Sequence, residues 1–391
     1  MHDKIKDTIQ DCNINFLLGS GLSLPYLKTL GSIEVLLNDL ETRELDVNVK
    51  MIIRASLYKK YFDEVIGKNS QILEPDAAVN EVLEQYQTFL KSLNSILLRR
   101  KVTILSKEVN LFTTNVDIFL EKALEDLNLE YNDGFNGRFK PRFSLSNFKK
   151  SHFKKSLHYD NTAELPVFNL LKLHGSLSWE INDKDVMFSS GLKHVKEVAS
   201  KTISDGHILS VPDDATIDTL VTAATGKTPD ASTNDFMEAY EKLLIVVNPT
   251  KEKFKHTLMN QTYYELLRLY SNELEKENTV LFVMGFSFAD EHICDITLRA
   301  ANSNPTLMIY VIAHSSKAKT EIEERFGKNN IKNNNIEIIA PEQEDAEGGV
   351  KTDKFKYNFP NINKEILGVV LEKVECEEVV PSEELADDSE E

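Results

Sequence analysis

The sequence predicts an α/β protein built on a doubly wound parallel sheet. Three observations predict it: short runs of consecutive apolar residues, amphipathic helical stretches between them, and turns bearing Gly, Asn or His at the ends of several runs. Strands that are apolar throughout, without in-and-out alternation, belong to sheets covered by helices on both faces. Ligands of such sheets lie beyond the carboxyl ends of the strands.

Asn13–Leu18 (NINFLL) reads as the first strand and ends at Gly19. In Val79–Leu97 the apolar residues Val79, Val82, Leu83, Tyr86, Phe89, Leu90, Leu93 and Leu97 recur at three- and four-residue steps. That spacing is one face of a long helix. The second strand is Val109–Thr114, followed by a helix through FLEKALEDL, and the third is Val167–Leu173. Leu243–Val247, Thr279–Met284 and Thr306–Ile312 supply three more, with helices at Tyr263–Leu274 and Glu291–Ala301. The stretch Ile33–Leu98 is far longer than an ordinary strand-to-helix connection. It reads either as a helical cap on the sheet or as a small subdomain that covers the cleft or mediates oligomerisation.

Composition bounds the function. The chain of 391 residues carries 45 Lys+Arg against 63 Asp+Glu, a net charge of −18. Broad nucleic-acid binding is not expected, since that affinity rests on Lys and Arg contacts to phosphate. Nine of the acids fall between Glu375 and Glu391, where no Lys or Arg occurs, so this end reads as an acidic disordered tail. The basic and aromatic block Phe148–Lys155 reads as a solvated loop. Cys12, Cys294 and Cys376 are too scattered for a CxxC pair or a zinc framework, and they fit a reducing cytoplasm. No signal peptide is expected in MHDKIKDTIQDC, and no apolar run approaches the roughly 20 residues that span a bilayer.

The chemistry-bearing residues stand just after the strands. Gly19-Ser20-Gly21-Leu22-Ser23 offers a tight turn and backbone N–H groups to a phosphate, or is a simple turn. Thr114-Asn115-Val116-Asp117 places an amide and a carboxylate two residues apart, although a helix cap with a first-turn acid reads the same way. His174, in Lys172-Leu173-His174-Gly175-Ser176, is a candidate base or a structural histidine. Gly285-Phe286-Ser287-Phe288-Ala289-Asp290 repeats the strand–Gly–Ser–helix junction, and His292 follows on the helix as a structural residue close to the cleft.

Taken in order, the Gly-rich turn, the TxNxD-type motif, the KLHGS pentapeptide and the GFS turn resemble the sirtuin family, NAD-consuming enzymes with a Rossmann-like domain. The resemblance runs from about Asn13 to His314. It implies that Gly19, Ser20, Gly21 and Ser23 line the NAD pyrophosphate and that Asn115, with Thr114, sits beside the nicotinamide ribose. It implies further that Asp117 holds the nicotinamide carboxamide, that His174, with Gly175, engages the ribose hydroxyls as a base, and that Gly285 and Ser287 face the adenosine phosphate side. Asp290 resembles an acid that recurs in relatives that are not deacylases.

Two departures set the expectation within that family. Protein-deacylating sirtuins carry two CxxC pairs for a structural zinc after the HGS motif, and this chain has no cysteine between Cys12 and Cys294. The acyl-peptide-binding Phe-Gly-Glu signature is also missing from LLIVVNPTKEKF. The expected protein is therefore a zinc-less NAD⁺ glycohydrolase, similar to bacterial anti-phage effectors that split NAD⁺ into ADP-ribose and nicotinamide. Its alternatives are an NAD-dependent deacylase or ADP-ribosyltransferase and a non-catalytic NAD or ADP-ribose sensor. The resemblance implies NAD⁺ as substrate, no zinc, a homo-oligomer, and a separately encoded partner such as a HerA-like ATPase. Motif order reduces the two or three domains that length allows to one NAD-binding catalytic domain over residues 1–340. Within it lie a helical insert at about 32–100 and a variable insert at about 182–240, polar and acidic with the loop-like stretch TGKTPDASTND; a C-terminal extension, 341–374, and the tail, 375–391, follow.

Overall fold

The computed structural model describes residues 1–29, 31–100, 104–148, 150–183, 185–247, 257–327, 331–345 and 351–376. Most of the expected acidic tail, Lys149 of the basic block, and residues 248–254 of the stretch LLIVVNPTKEKF lie outside the described residues.

Seven parallel strands form the central sheet. In chain order they are β1 (Asn13–Leu18), β2 (Glu108–Thr113), β3 (Tyr131–Asn132), β4 (Val167–Lys172), β5 (Thr279–Met284), β6 (Leu307–Ile312) and β7 (Ile336–Ile339). Their spatial order is β7-β6-β5-β1-β2-β4-β3. The chain thus builds one side of β1, then crosses over and builds the other. Between β1 and β5 the winding reverses, and such a switch point opens a crevice at the carboxyl edge.

The helices are α1 (His2–Asp11), α2 (Gly31–Thr42), α3 (Val47–Tyr61), α4 (Ala77–Leu98), α5 (Phe119–Asp126) and α6 (Lys193–Ala199). They continue with α7 (Ile217–Ala224), α8 (Ala231–Leu243), α9 (Thr257–Leu274), α10 (Glu291–Ser303), α11 (Ser316–Phe326) and α12 (Val369–Cys376). Ile14, Phe16 and Leu18 of β1 pack into one apolar cluster with α1 to α8 and α12, whereas Leu17 packs into a second with α9, α10 and α11. Helices on both faces explain why the strands are buried, and mostly apolar, on both sides.

Cross-strand register gives each face its own ladder. On the first face Phe16 stacks on Phe282 with ring centroids 5.1 Å apart, and Phe282 stacks on Tyr310 at 5.4 Å. On the second face Asn15, Asn110 and Asn169 stand in register across β1, β2 and β4. Asn169 Nδ2 donates to Asn110 Oδ1 at 2.9 Å and Asn110 Nδ2 donates to Asn15 Oδ1 at 2.8 Å. Amides buried in a sheet need such partners, because an unsatisfied buried donor or acceptor costs about 1–3 kcal/mol.

Three expectations are corrected. Leu243–Val247 is not a strand: α8 runs through Leu243, and Val246 makes only an isolated antiparallel bridge to Gly175. The run is apolar because it sits between the clusters, Leu244 and Val246 facing one and Ile245 the other. The loop-like stretch TGKTPDASTND is half helix, since α8 begins at Ala231; the variable segment around it carries α6 and α7, and Tyr240 stacks on Tyr58 of α3 at 4.8 Å. Phe148–Lys155 enters an exposed two-stranded hairpin, His152–Lys155 with Thr162–Leu165. Ile33–Leu98 is helical throughout most of its length, and the C-terminal residues 359–376 are helical and pack beside α4 through the Tyr86–Phe359 ring pair at 4.9 Å. No described helix is long and apolar enough to cross a membrane.

Candidate active site at the carboxyl edge of the sheet

A cavity of about 550 Å³ opens where β1, β2, β4 and β5 end. Of the sequence-derived site residues, Ser20, Gly21, Ser23, Thr114, Asn115, Asp117, His174, Gly285, Ser287 and Asp290 line it. Gly19 and Gly175 do not, and each supports the wall from behind.

Gly19 lies against the β5 loop. An added Cβ there would stand 2.4 Å from the Gly285 carbonyl oxygen and 2.7 Å from Phe286 Cα, so the two loops meet backbone to backbone. The Gly19 N–H donates to the Met284 carbonyl at 2.9 Å and the Gly21 N–H to the Gly285 carbonyl at 3.0 Å. The turn is followed by a single 3₁₀ turn, Ser20–Ser23, rather than a long helix, and the N–H groups of Gly21 and Leu22 are already used. Gly175 has φ +79°, and an added Cβ would lie 2.2 Å from the Ile245 carbonyl oxygen. A residue with a Cβ is disfavoured there on both counts.

Asn115 and Asp117 are buried. Asn115 Nδ2 donates to the Gly19 carbonyl at 3.1 Å. A carbonyl only accepts, so this contact fixes the amide with Oδ1 on the other side. That oxygen is buried and makes no hydrogen bond of good geometry. Asp117 is held by the protein at both oxygens: Oδ1 accepts from the Phe119 N–H at 3.2 Å at the start of α5, and Oδ2 accepts from the Ser23 hydroxyl at 2.8 Å. Ser23 Oγ in turn lies 3.0 Å from the Tyr86 hydroxyl. Burial and the nearby Asp117 push the Tyr86 hydroxyl far above its ordinary range, so it stays protonated.

His174 Nε2 lies 3.1 Å from Asp290 Oδ2. Asp290 Oδ1 caps α10, accepting from the N–H groups of His292 at 3.0 Å and Ile293 at 3.2 Å. The Tyr263 ring is 6.3 Å from the His174 ring, and burial, then Asp290, raises its hydroxyl. Cys294, one turn along α10, is pushed up to about 11 by burial, so its thiol stays neutral.

Beneath the site lies a buried ion pair. Lys172 Nζ reaches Glu121 Oε1 at 3.1 Å and also donates to the Asp117 carbonyl, while the Ser176 hydroxyl donates to Glu121 at 3.1 Å. Burial outweighs Lys172 and raises the Glu121 carboxyl. The neighbouring Asp133 is raised from 3.8 to about 6, by burial first and with Glu121 adding to it. Its folded pKa exceeds the unfolded one, so it destabilises the fold as pH rises from about 4 to about 6. The full effect is about 3 kcal/mol at most. Asp133→Asn is expected to remove that slope, read as denaturation midpoints across the same pH range; an unchanged slope in the variant contradicts the assignment.

The far wall comes from the helical insert, for which covering the cleft is one of the readings its sequence allows. Gly31, Glu34 and Asn38 of α2 line the cavity, with Tyr61 at the end of α3 and Val65 just beyond it. The helical insert therefore covers the cleft, and its contribution depends on tertiary placement alone. Burial, with Asp117 and Glu34 nearby, raises the Tyr61 hydroxyl. Among the described lining residues Lys28 is the one Lys or Arg, against Glu34, Asp117, Asp290 and Glu291. Lys28 Nζ is itself paired with Asp213 at 3.0 Å and Glu64 at 3.1 Å. The lining thus favours a ligand with a cationic part over a bare polyanion. Among the described residues no group of three or more His, Cys, Asp or Glu gathers as a metal site.

The fold and this cavity together define a Rossmann-like α/β protein with a ligand-sized site at its switch point, roofed by a helical insert. No family model matches the chain, and no curated protein matches it.

Proposed function

We propose that this cavity hydrolyses NAD⁺ to ADP-ribose and nicotinamide. The observation that carries the reading is the convergence of Asn115, Asp117 and the His174–Asp290 pair on one cavity at the switch point. Cleavage transfers positive charge from the nicotinamide ring to the ribose C1′, as in glycoside cleavage. The carboxylates of Asp117 and Glu34 suit that cation before and during the step. Water forms the new C1′–O bond, the electrons of the broken C1′–N bond neutralise nicotinamide, and His174 takes the proton of the water.

With this reading go the sirtuin-like ancestry, a cytoplasmic effector of anti-phage defence held in check by assembly, and a HerA-type ATPase as partner. Size measurement with and without that partner tests the assembly. The activity is tested by incubating the full chain with NAD⁺, with and without an acyl-lysine peptide. Equal amounts of nicotinamide and ADP-ribose without peptide are expected. Release that requires the peptide would overturn hydrolysis in favour of deacylation.

A further inference from the structure

We infer that Asp290 is a positioning residue that fixes the tautomer of His174, leaving Nδ1 as the atom that accepts a proton. The two residues come from distant parts of the chain, the turn after β4 and the start of α10, and meet at 3.1 Å. Their side chains are only 17% and 13% exposed, so water competes weakly for the contact. The orientation of Asp290 is set by something other than His174: its Oδ1 accepts two N–H groups of α10, at 3.0 and 3.2 Å. Capping is a strong local preference and locks the carboxylate in place. Its other oxygen, Oδ2, is thereby presented to His174.

An ionised carboxylate accepts and does not donate. The neutral imidazole must therefore carry its proton on Nε2 and donate it to Oδ2, and Nδ1 is left with a lone pair. The histidine itself is held from behind, its carbonyl accepting from the Val247 N–H at 2.9 Å and its neighbour Gly175 accepting no side chain without strain. The arrangement obeys the logic of an acid that orients a histidine base, with the acid here doubling as a helix cap. A single residue thus ties the integrity of α10 to the protonation pattern of the candidate base. Asn retains the cap but reverses the second contact. Its Oδ1 keeps the helix N–H groups, and its Nδ2 then donates to Nε2, forcing the proton onto Nδ1.

The tautomer follows from the contact alone, whereas the base role rests on the NAD⁺-cleaving reading; the test separates them. Histidine labelled with nitrogen-15 in the full chain at about pH 8, where imidazole is mostly neutral, reports the tautomer through its ring nitrogen shifts. The His174 signals are assigned by their loss in His174→Gln. The expected result is Nε2–H in the wild type and Nδ1–H in Asp290→Asn, with an unchanged melting temperature because Asn caps as well as Asp. Nδ1–H in the wild type overturns the proposal without any variant being needed. In Asp290→Ser, which caps but lacks the second oxygen, the Nε2–H preference is expected to fall, and its persistence also overturns the proposal. Nicotinamide release by Asp290→Asn is expected to drop about 10²-fold or more, the usual range for losing a base, chiefly in kcat. A tautomer that switches while wild-type-level release continues overturns the positioning role. A wild type with the expected tautomer but no release overturns the NAD⁺-cleaving reading instead.

Discussion

His174→Ala is expected to lower nicotinamide release by about 10²–10⁴-fold, the span that a positioned acid or base contributes. Nothing else in the lining replaces it by position. The nearest ring, Tyr263, has a hydroxyl raised by burial and by Asp290 and is not a base at neutral pH. His292 lines the cavity too, but it meets Asp290 through its backbone N–H, and the ring 3.1 Å from Asp290 Oδ2 is that of His174. The fold is expected to survive, because His174 is held by backbone contacts on either side and lies outside both apolar clusters. Release assays beside circular dichroism check both halves. A folded His174→Ala protein as active as wild type contradicts the site.

Gly19→Ala is expected to cost about 3 kcal/mol, the upper part of the range for overpacking. The new methyl would meet backbone on the facing loop: the Gly285 carbonyl at 2.4 Å and Phe286 Cα at 2.7 Å. Side chains can rotate away from a clash, but paired backbones cannot. Here the facing loop is fixed by the Gly19–Met284 and Gly21–Gly285 hydrogen bonds. Separating the loops would also spread the cavity, since Gly21, Gly285 and Ser287 lie on its wall. Gly31→Ala is the control. Nothing stands within 4 Å of its added Cβ, and a change within about 0.5 kcal/mol is expected there. Denaturation midpoints of the two variants decide; equal midpoints would contradict the interlock.

The fold class and the order of the site loops were legible in the sequence for one physical reason. Strands buried on both faces are written as apolar runs, and β1 and β5 match the expected runs residue for residue. Parallel strands also point their ends the same way, so residues read after Leu18, Thr113, Lys172 and Met284 had to converge. β3 and β7 were not legible. With two and four residues, they leave too short a pattern to separate from loops. Leu243–Val247 failed for the opposite reason: an apolar run signals burial, and burial between two helical layers looks the same as burial in a sheet. A cleft-covering insert was among the readings of Ile33–Leu98, but the residues it contributes were not legible, because Glu34, Asn38, Tyr61 and Val65 reach the cavity only once the insert has folded over it. The Asp290–His174 contact joins residues 116 apart and leaves no local pattern at all. The cap is seen only in the structure, where Asp290 stands immediately before α10.

Charge gives the cavity its character. A net charge of −18 over the chain is mirrored in a lining where carboxylates outnumber the single Lys. That lining sits more easily with a cationic nicotinamide ring than with a bare polyanion.

The central claim is that the cavity breaks the bond between C1′ and nicotinamide rather than merely holding the dinucleotide. A single-turnover experiment tests it most directly, with the full chain in molar excess over NAD⁺ and all products quantified after separation. Complete conversion to one nicotinamide and one ADP-ribose per NAD⁺ is expected. Recovery of intact NAD⁺ from protein shown to have bound it would contradict hydrolysis.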